Sequence, residues 1–292
     1  MNVLSLFDGM SCGQIALNKL GIKYDNYFAS EIDKYAIQVT QKNYPNTKQI
    51  GSVVDVKGED LPTIDLLMGG SPCQGFSMAG KKLNFDDDRS KLFFEFVRIL
   101  EDVKPKYFLL ENVRMKQEWQ DIVSDILGVK PININSSLVS PQNRNRLYWT
   151  NIPNIGQPND MFLEVKDFLI TDVEEKYYMS EKATKLIQDS LNKRGDNLNT
   201  FNVISSWQKN YTISSKKCPA VTAAMGMGGG HVPMITKLPY RKFTPIEIER
   251  MQTVPDNYTF GVSDTQRYKM LGNGWTVDVI AHIFKNIRYN NE

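Results

Sequence analysis

The first half of the chain alternates short apolar runs with segments of helical character, and this alternation constrains the fold more than any other feature. The apolar runs lie at residues 3–7, 27–30, 64–68 and 107–110. The intervening helical segments lie at residues 15–20, 34–44 and 91–103. Strands that alternate with helices are typical of a parallel sheet covered by helices. The predicted fold class is therefore α/β, with a mostly parallel sheet.

Polar residues follow the apolar runs where each predicted strand ends. Glu31 follows the second run, a Gly-Gly-Ser-Pro loop leading to Cys73 follows the third, and Glu111 follows the fourth. Carboxyl ends of parallel strands meet at one edge of the sheet, where such folds bind ligands. A lone cysteine is more often a small buried apolar residue than a nucleophile. In the company of Glu111, however, Cys73 is a candidate nucleophile in a predicted active site.

A glycine-containing loop at residues 8–13 joins the first predicted strand to the first predicted helix. Glycines let a backbone approach a ligand, and the following helix offers unpaired amide groups. In dinucleotide-binding folds an acid about 20 residues beyond the glycines binds the ribose hydroxyls. Glu31 has that spacing from Gly9, which predicts an adenosine-containing ligand. The alternative is a plain strand-to-helix turn and a solvated acid.

The composition excludes several classes of protein. The 292 residues carry a formal net charge of +2 and include three cysteines and two histidines. This is too few cysteines for a disulfide framework, and a structural zinc site is not expected. No apolar run is long enough to span a membrane, and the N-terminus lacks the pattern of a signal peptide. A cytoplasmic location is expected.

The pattern changes at about residue 151, where prolines and asparagines become frequent and one helix is predicted at residues 180–192. Lysines mixed with aromatic residues suit a nucleic-acid surface, although they also suit an ordinary solvated face. A glycine run at 226–230 is either a flexible loop or a close approach to a ligand. Regular structure resumes with a capping box formed by Thr244 and Glu247. A strand at 51–56, a loop at 271–275 and a last helix at 276–287 are also predicted.

The order of several motifs along the chain resembles that of the DNA (cytosine-5-)-methyltransferases. The motifs are Phe7-Asp8-Gly9, Glu31, Ser71-Pro72-Cys73-Gln74 with Phe76-Ser77, Glu111-Asn112-Val113, Gln142-x-Arg144-x-Arg146, Thr244-Pro245-x-Glu247 with Arg250-x-Gln252, and Gly272-Asn273. The resemblance covers nearly the whole chain. It implies a Rossmann-like, S-adenosyl-L-methionine-dependent methyltransferase fold. It assigns residues 1–152 and 241–292 to the catalytic domain and residues 153–240 to a target-recognition domain.

The resemblance also implies a reaction and its catalytic residues. Cys73 would add as a thiolate to C6 of a cytosine that has been flipped out of the helix, which makes C5 nucleophilic. Glu111 would bond the N3 and N4 positions of the base, and Arg146, with Arg144 nearby, would hold O2. S-adenosyl-L-methionine would leave as S-adenosyl-L-homocysteine, and no metal is expected.

Binding residues follow from the same resemblance. Those expected to bind the cofactor are Phe7, Gly9, Ser11, Cys12, Glu31, Ile32, Ser52, Pro72, Leu92, Asn273 and Trp275. Those expected to bind DNA are Gln74, Ser77, Gly228 and Gly229. The sequence departs from the common family pattern at three places. The first loop reads Asp-Gly-Met-Ser-Cys-Gly instead of Ala-Gly-x-Gly-Gly, Ser52 replaces an acid, and Trp275 replaces a small residue.

The expected partner is double-stranded DNA, and the protein is expected to be a monomer that modifies DNA in a restriction-modification system or protects phage DNA. A tRNA cytosine-5 methyltransferase of the same fold is the alternative enzyme. A catalytically dead DNA-binding paralogue is the alternative from another class, although Cys73, Glu111, Arg144 and Arg146 are all intact.

Overall fold

The computed structural model of the chain forms two compact units. It describes residues 1–71, 88–193, 203–207, 210–214, 216–227, 231–236 and 239–287. Unit 1 comprises Met1–Asn135, Asn145–Pro158 and Val277–Glu292. Unit 2 comprises Ser136–Arg144 and Asn159–Thr276.

Unit 1 is built on a seven-stranded sheet. Its strands are β1 (Asn2–Leu6), β2 (Asn26–Ser30), β3 (Lys48–Gln49), β4 (Leu66–Gly69), β5 (Tyr107–Val113), β6 (Ile132–Asn135) and β8 (Asn145–Thr150). Their order in the sheet is β3-β2-β1-β4-β5-β8-β6. The first five strands are parallel, and β8 runs antiparallel to both of its neighbours. The predicted α/β class with a mostly parallel sheet is confirmed.

Helices accompany this sheet in chain order. They are α1 (Cys12–Lys19), α2 (Lys34–Asn43), α3 (Asp88–Val103), α4 (Gln117–Leu127) and α8 (Val277–Phe284). The central strands β1 and β4 are mostly apolar and almost entirely buried, as expected of parallel strands that are covered on both faces. Leu4, Phe96 and Trp149 belong to one buried cluster and are inaccessible to solvent.

The strand order reverses beside β1, and this reversal positions the candidate site. The chain proceeds from β1 outward through β2 and β3, and then returns to place β4 on the other side of β1. In open α/β sheets, ligands bind outside the carboxyl ends of the strands at such a point. The loop that follows β1 and the segment that begins at Gly70 after β4 both leave the sheet there.

The described residues of unit 2 form short strands and three α-helices. They are β7 (Gln142–Asn143), β9 (Val203–Trp207), β10 (Asn210–Ser214), β11 (Cys218–Pro219), β12 (Met234–Ile235), β13 (Arg241–Lys242), α5 (Glu181–Lys193), α6 (Pro245–Met251) and α7 (Asp264–Asn273). One sheet has the order β10-β9-β12-β13, and β7 pairs with β11 in another. The predicted capping box is confirmed, because Thr244 and Glu247 each accept the other's amide hydrogen.

Two local predictions were wrong. Residues 51–56 do not form a strand: Gly51 has φ +78°, and Val53–Asp55 form a 3-10 turn. The left-handed glycine turns the chain after the short strand β3. Residues 271–275 are not wholly a loop, because α7 continues to Asn273. Gly272 is a packing residue there, since a Cβ atom on it would lie 2.0 Å from the carbonyl carbon of Thr222.

The compact units divide the chain differently from the domains predicted from sequence. Residues 136–144 and 241–276 group with the 159–240 segment, whereas the prediction placed them in the catalytic domain. The predicted division concerns function and stays a prediction. In the part of the chain that the structure describes, no helix is long and apolar enough to cross a membrane.

Candidate active site

The loop between β1 and α1 has an alternating left-handed backbone. Phe7, Gly9 and Ser11 have φ values of 56°, 59° and 65°. Glycine adopts this conformation freely, but Phe7 and Ser11 pay about 1–2 kcal/mol each for it. Such strain persists only where the surroundings hold the backbone in place. The loop is therefore a shaped element rather than a plain connection.

Hydrogen bonds from β2 and α2 hold this loop. The amide of Gly9 donates to Oε2 of Glu31 at 2.7 Å, and its carbonyl accepts from Oγ1 of Thr40 at 3.4 Å. The amide of Asp8 donates to the carbonyl oxygen of Ser30 at 3.2 Å. The amide and the carbonyl of Gly9 are thus both hydrogen-bonded to the segment that contains β2 and α2. These bonds fix the position of the backbone where the strand order of the sheet reverses.

Glu31 is oriented by three backbone amides. Besides the bond from Gly9 to Oε2, its Oε1 accepts from the amides of Ile32 and Asp33 at 2.7 and 2.8 Å. These contacts use both acceptor sites of Oε1 and leave one on Oε2 for a ligand hydroxyl. The neighbouring Ile32 is 76% exposed, although it is a large apolar residue. A carboxylate of fixed orientation beside an exposed apolar side chain suits a ribose and the flat ring attached to it.

Asp8 is a buried acid within the same loop, and no role was predicted for it. The hydroxyl of Tyr27 donates to its Oδ1 at 2.7 Å. The pKa of Asp8 is raised from 3.8 to about 6, mainly by burial and in part by the negative charge of Glu31, while the hydroxyls of Ser5, Tyr27 and Ser11 oppose the rise. The sequence feature that could have revealed Asp8 is an acidic residue in a loop that usually contains small residues.

Glu111 and Arg146 form an ion pair in unit 1. They lie on the adjacent antiparallel strands β5 and β8, and Nε of Arg146 is 3.0 Å from Oε1 of Glu111. Their side chains are only 11% and 14% exposed. The contact lies outside hydrogen-bond geometry, because the Nε–H of Arg146 has no hydrogen-bond partner among the described residues. Its Nη1 donates to the carbonyl of Asn145 at 2.8 Å.

Asn112 connects this pair to the start of the predicted cysteine loop. Its side-chain amide lies 3.4 Å from Oγ and 3.5 Å from the carbonyl oxygen of Ser71, and both residues are buried. Ser71 is the last described residue before the predicted loop. The chain that leads to Cys73 therefore leaves β4 beside the strand that carries Glu111.

Arg144 has a different set of partners from Arg146. Its buried guanidinium donates to the carbonyl oxygens of Val221, Gly272 and Gly274, with shortest distances of 2.6, 3.3 and 2.9 Å. All of these residues belong to unit 2, whereas the ion pair of Arg146 is within unit 1. Two arginines that are two residues apart in the sequence, between β7 and β8 and within β8, thus have separate partners.

Gln142 and Gln252 extend the polar network around Arg144. The amide group of Gln252 donates to the carbonyl oxygens of Leu271 and Gly274 at 2.7 and 3.1 Å, and Gln142 donates to Oε1 of Gln252 at 3.0 Å. Thr276 donates to the same oxygen at 2.8 Å. The motifs around residues 142, 252 and 272 thus form one network within unit 2, which the sequence motifs alone did not reveal.

The remaining predicted cofactor residues lie in both units. Ser52 precedes the 3-10 turn after β3, and Leu92 on α3 is partly buried against the core of unit 1. Cys12 is buried at the start of α1. In unit 2, Asn273 is exposed and Trp275 is 9% exposed. The predicted site residues Pro72, Cys73, Gln74, Ser77, Gly228 and Gly229 lie outside the described residues.

The two described cysteines are poorly suited to nucleophilic chemistry. Both are buried, and burial raises the pKa of the Cys218 thiol well above its usual range. A thiol in such surroundings carries little of the reactive thiolate. Among the residues that the structure places, no group of three or more histidine, cysteine or acidic side chains could hold a metal ion.

The sequence profile of a family described as C-5 cytosine-specific DNA methylase matches residues 1–289. Among curated proteins, the Type II methyltransferase M.Bsp6I of Bacillus sp. (strain RFL6) is 30% identical, and the alignment covers 98% of each chain. Among solved structures, the Entamoeba histolytica methyltransferase EhMeth has a TM-score of 0.74 at 20% identity, with 99% of each chain covered. The S. pombe Dnmt2 methyltransferase has a TM-score of 0.73 at 19% identity, with 99% of this chain and 100% of the other covered. At these identities the structural likeness shows the fold.

Proposed function

The chain belongs to the C-5 cytosine-specific DNA methylase family and is a DNA (cytosine-5-)-methyltransferase, and on this premise we propose how its residues perform the reaction. We assign to the protein the methylation of C5 in a flipped-out cytosine, which proceeds through a covalent bond between Cys73 and C6. The observation that carries this proposal is the ion pair of Glu111 and Arg146 beside the chain that leads to Cys73.

Cys73 supplies the nucleophile. Its thiolate adds to C6, and the electron pair of the C5–C6 double bond then becomes available for bond formation at C5. When it is bound, S-adenosyl-L-methionine supplies an electrophilic methyl group on a positively charged sulfur. A base then removes the C5 proton, the double bond re-forms, and the Cys73 thiolate is expelled. The burial of Cys12 and Cys218 supports Cys73 as the nucleophile.

Glu111 and Arg146 hold the base and compensate its changing charge. The carboxyl of Glu111 can accept a hydrogen bond from the N4 amine and exchange a proton at N3. The guanidinium of Arg146 can donate to O2, where negative charge develops as the thiolate adds. Their contact in this structure keeps both charges compensated before a base is present. The pair is thus preorganised for a base that needs a donor and an acceptor.

The loop after β1 fits an adenosine-containing methyl donor. Glu31 is oriented to accept a ribose hydroxyl, the exposed side chain of Ile32 offers a surface for the adenine, and the backbone of Gly9 allows close approach. Phe7, Ser11 and Cys12 belong to the same segment and stay in the proposed set. Ser52, Leu92, Asn273, Trp275 and Pro72 remain predictions from the family resemblance.

The contacts of Arg144 favour a positioning role over contact with the base. Its guanidinium donates to the backbone carbonyls of Val221, Gly272 and Gly274 in unit 2, and the side chain is 3% exposed. We therefore propose that Arg144 holds the backbone around residues 221 and 272–274. Glu111 and Arg146 remain the proposed catalytic residues beside Cys73.

The proposed substrate is cytosine in double-stranded DNA within a short recognition sequence. Gln74, Ser77, Gly228 and Gly229 are proposed to contact the DNA, and residues 153–240 are proposed to choose the sequence. Similarity to Type II methyltransferases supports a modification role in a restriction-modification system, and similarity to an orphan methyltransferase of a Bacillus phage supports protection of phage DNA as the other setting. S-adenosyl-L-homocysteine is the proposed product, and a monomer is the proposed state.

Sequencing of host DNA tests the proposal directly. Expression of the protein is expected to introduce 5-methylcytosine into one short motif, as read by a method that resolves single bases. Expression of Cys73→Ala at the same level is the control and is expected to leave that motif unmethylated. Methylation by this variant would contradict the assigned nucleophile.

A trap with 5-fluorocytosine separates the competing substrates. DNA carrying 5-fluorocytosine at the methylated motif is expected to become attached to Cys73, because fluorine cannot leave C5 as a proton does. A tRNA substrate with the same modification is the matched probe for the alternative enzyme. Attachment to RNA alone would overturn the DNA assignment, and attachment to neither would favour the catalytically dead paralogue.

A further inference from the structure

Asp8 and Glu31 place two negative charges around Gly9 in the loop after β1. Glu31 accepts the amide hydrogen of Gly9, and Asp8 precedes Gly9 in the chain. In the part of the chain that the structure describes, neither carboxylate forms an ion pair. The charge of Glu31 contributes to the raised pKa of Asp8, so the two groups interact. The described loop therefore carries interacting negative charges without a cationic partner of its own.

One oxygen of Asp8 is buried without a hydrogen bond. Asp8 is 9% exposed, and its Oδ2 has no hydrogen-bond partner among the described residues. The same holds for Oγ of Ser11, which is inaccessible to solvent. Burial of an uncompensated carboxylate is costly, and such groups usually face a cation or a hydrogen-bond donor. A positive charge bound near the loop would therefore stabilise the ionised form of Asp8.

An anchoring role alone does not require an acid at position 8. The hydroxyl of Tyr27 needs only an acceptor, and the amide oxygen of an asparagine would provide one without the cost of burying a charge. The common family sequence, which has alanine here, has no side-chain acceptor at all. The feature that distinguishes Asp8 is therefore its negative charge.

We propose that Asp8, together with Glu31, makes the cofactor loop selective for charge, so that the protein binds S-adenosyl-L-methionine in preference to S-adenosyl-L-homocysteine. This inference rests on the proposed function, which names the two ligands. They share the adenosine, the α-ammonium and the α-carboxylate, and they differ in the charge at sulfur. The donor carries a sulfonium, whereas the product carries a neutral thioether.

The charge of Asp8 acts through the loop, without contact between its side chain and the ligand. Interactions between charges are stronger in a buried environment of low polarity than in water. The negative charge of Asp8 lowers the free energy of a cation that is bound near the loop. It has almost no effect on a neutral sulfur at the same place. Asp8 is thus a specificity-determining residue that favours binding of the donor and release of the product.

The groups that face Asp8 allow its charge to be followed by pH. They are the hydroxyl of Ser5 on β1, the phenol of Tyr27 and the carboxylate of Glu31 on and after β2, and the hydroxyl of Ser11 before α1. Burial raises the pKa of Tyr27 well above its usual range, so its hydroxyl stays protonated. The charge of Asp8 changes near pH 6.

Calorimetric titration of the full-length protein with each ligand at pH 8 tests the inference. Asp8→Asn keeps the shape and the bond to Tyr27 but removes the charge. It is expected to weaken binding of S-adenosyl-L-methionine about tenfold and that of S-adenosyl-L-homocysteine less than about twofold. Tyr27→Phe is the matched control, because it disturbs the same buried contact and keeps the charge. It is expected to change both affinities by the same factor.

The wild-type protein provides a second measurement that needs no variant. Between pH 5.5 and 8, the preference for S-adenosyl-L-methionine is expected to rise as Asp8 ionises, and Asp8→Asn is expected to remove this rise. A wild-type preference that does not change with pH would overturn the inference even if Asp8→Asn did not fold. So would an unchanged preference in Asp8→Asn. Failure of the wild type to bind either ligand would overturn the proposed function itself.

Discussion

Two pairs of charged side chains lie on the strands of unit 1 or directly after them, and the pairs differ in how their charges are compensated. Glu111 on β5 and Arg146 on β8 carry opposite charges, and Oε1 of Glu111 lies 3.0 Å from Nε of Arg146. Asp8 and Glu31 are both acids, in segments that follow β1 and β2, and neither has a cationic partner among the described residues. One pair is complete within the protein, and the other lacks a cation.

The pair of Glu111 and Arg146 is therefore suited to bind a nucleobase, whereas the pair of Asp8 and Glu31 is suited to bind a cation. A compensated pair can present a donor and an acceptor to a neutral base with little reorganisation. In the uncompensated pair, burial and, to a smaller extent, the charge of Glu31 raise the pKa of Asp8 and make it easier to protonate. Arg144 illustrates a third arrangement, in which a buried cation is satisfied by neutral backbone carbonyls. Three predictions test these distinctions.

Removal of the charge of Glu111 is expected to have the largest effect. Glu111→Gln keeps the size of the side chain but leaves Arg146 without its anion and N3 of the base without an acid. We expect turnover to fall about 10³-fold, within the range for loss of a general acid. Glu118→Gln is the control, because Glu118 is an exposed glutamate in a loose ion pair with Lys116. Turnover of Glu111→Gln above a tenth of the wild-type value would show that the pair is not catalytic.

Replacement of Arg144 by lysine tests whether its contacts stabilise unit 2. An ammonium group cannot reach the three carbonyls that the guanidinium joins, so we expect the free energy of unfolding to fall by about 3 kcal/mol. Arg98→Lys changes a partly exposed arginine paired with Glu95 and is expected to cost under about 1 kcal/mol. Urea denaturation measures both values. Equal losses would contradict a special structural role for Arg144.

The pH dependence of stability tests the uncompensated acid. The pKa of Asp8 is raised from 3.8 to about 6 in the folded protein, so the folded state binds more protons than the unfolded state between these values. Stability is therefore lost as pH rises from about 4 to about 6. The shift corresponds to about 3 kcal/mol.

The Asp8→Asn variant is expected not to lose stability in this way as the pH rises. Relative to the wild type, its free energy of unfolding is expected to increase by up to about 3 kcal/mol between pH 4 and pH 7, and to change little above pH 7. Thermal unfolding of the ligand-free proteins across this range gives the comparison. Parallel curves for the two proteins would mean that Asp8 is not the titrating group.

Local signals predicted the framework of the fold well. Apolar runs of four or five residues identified β1, β2, β4 and β5, and the capping box at Thr244 identified the start of α6. These signals succeed because burial of a strand or capping of a helix depends on neighbouring residues in the chain. The strand expected at 51–56 failed because Gly51 has φ +78°, and the sequence did not reveal where the chain would turn.

Part of the candidate site was also accessible from sequence. Glu31 and Glu111 were recognised from their positions after apolar runs, and the structure places Glu31 directly after β2 and Glu111 within β5. The partnership of Glu111 with Arg146 was not derivable from spacing, because it depends on the antiparallel pairing of β5 with β8. The distinct partners of Arg144 depend on pairing of β7 with β11, which lies far away in the chain.

The sequence by itself determined the reaction class, through residues whose chemistry is carried in their own side chains and in their order along the chain. The tertiary structure decided which charges are compensated. Compensation depends on distances of a few ångströms between residues that are far apart in sequence, and on burial that raises the energy of an unpaired charge. Asp8 is an ordinary acid in the sequence, and in the folded protein burial, with a smaller contribution from the charge of Glu31, raises its pKa to about 6.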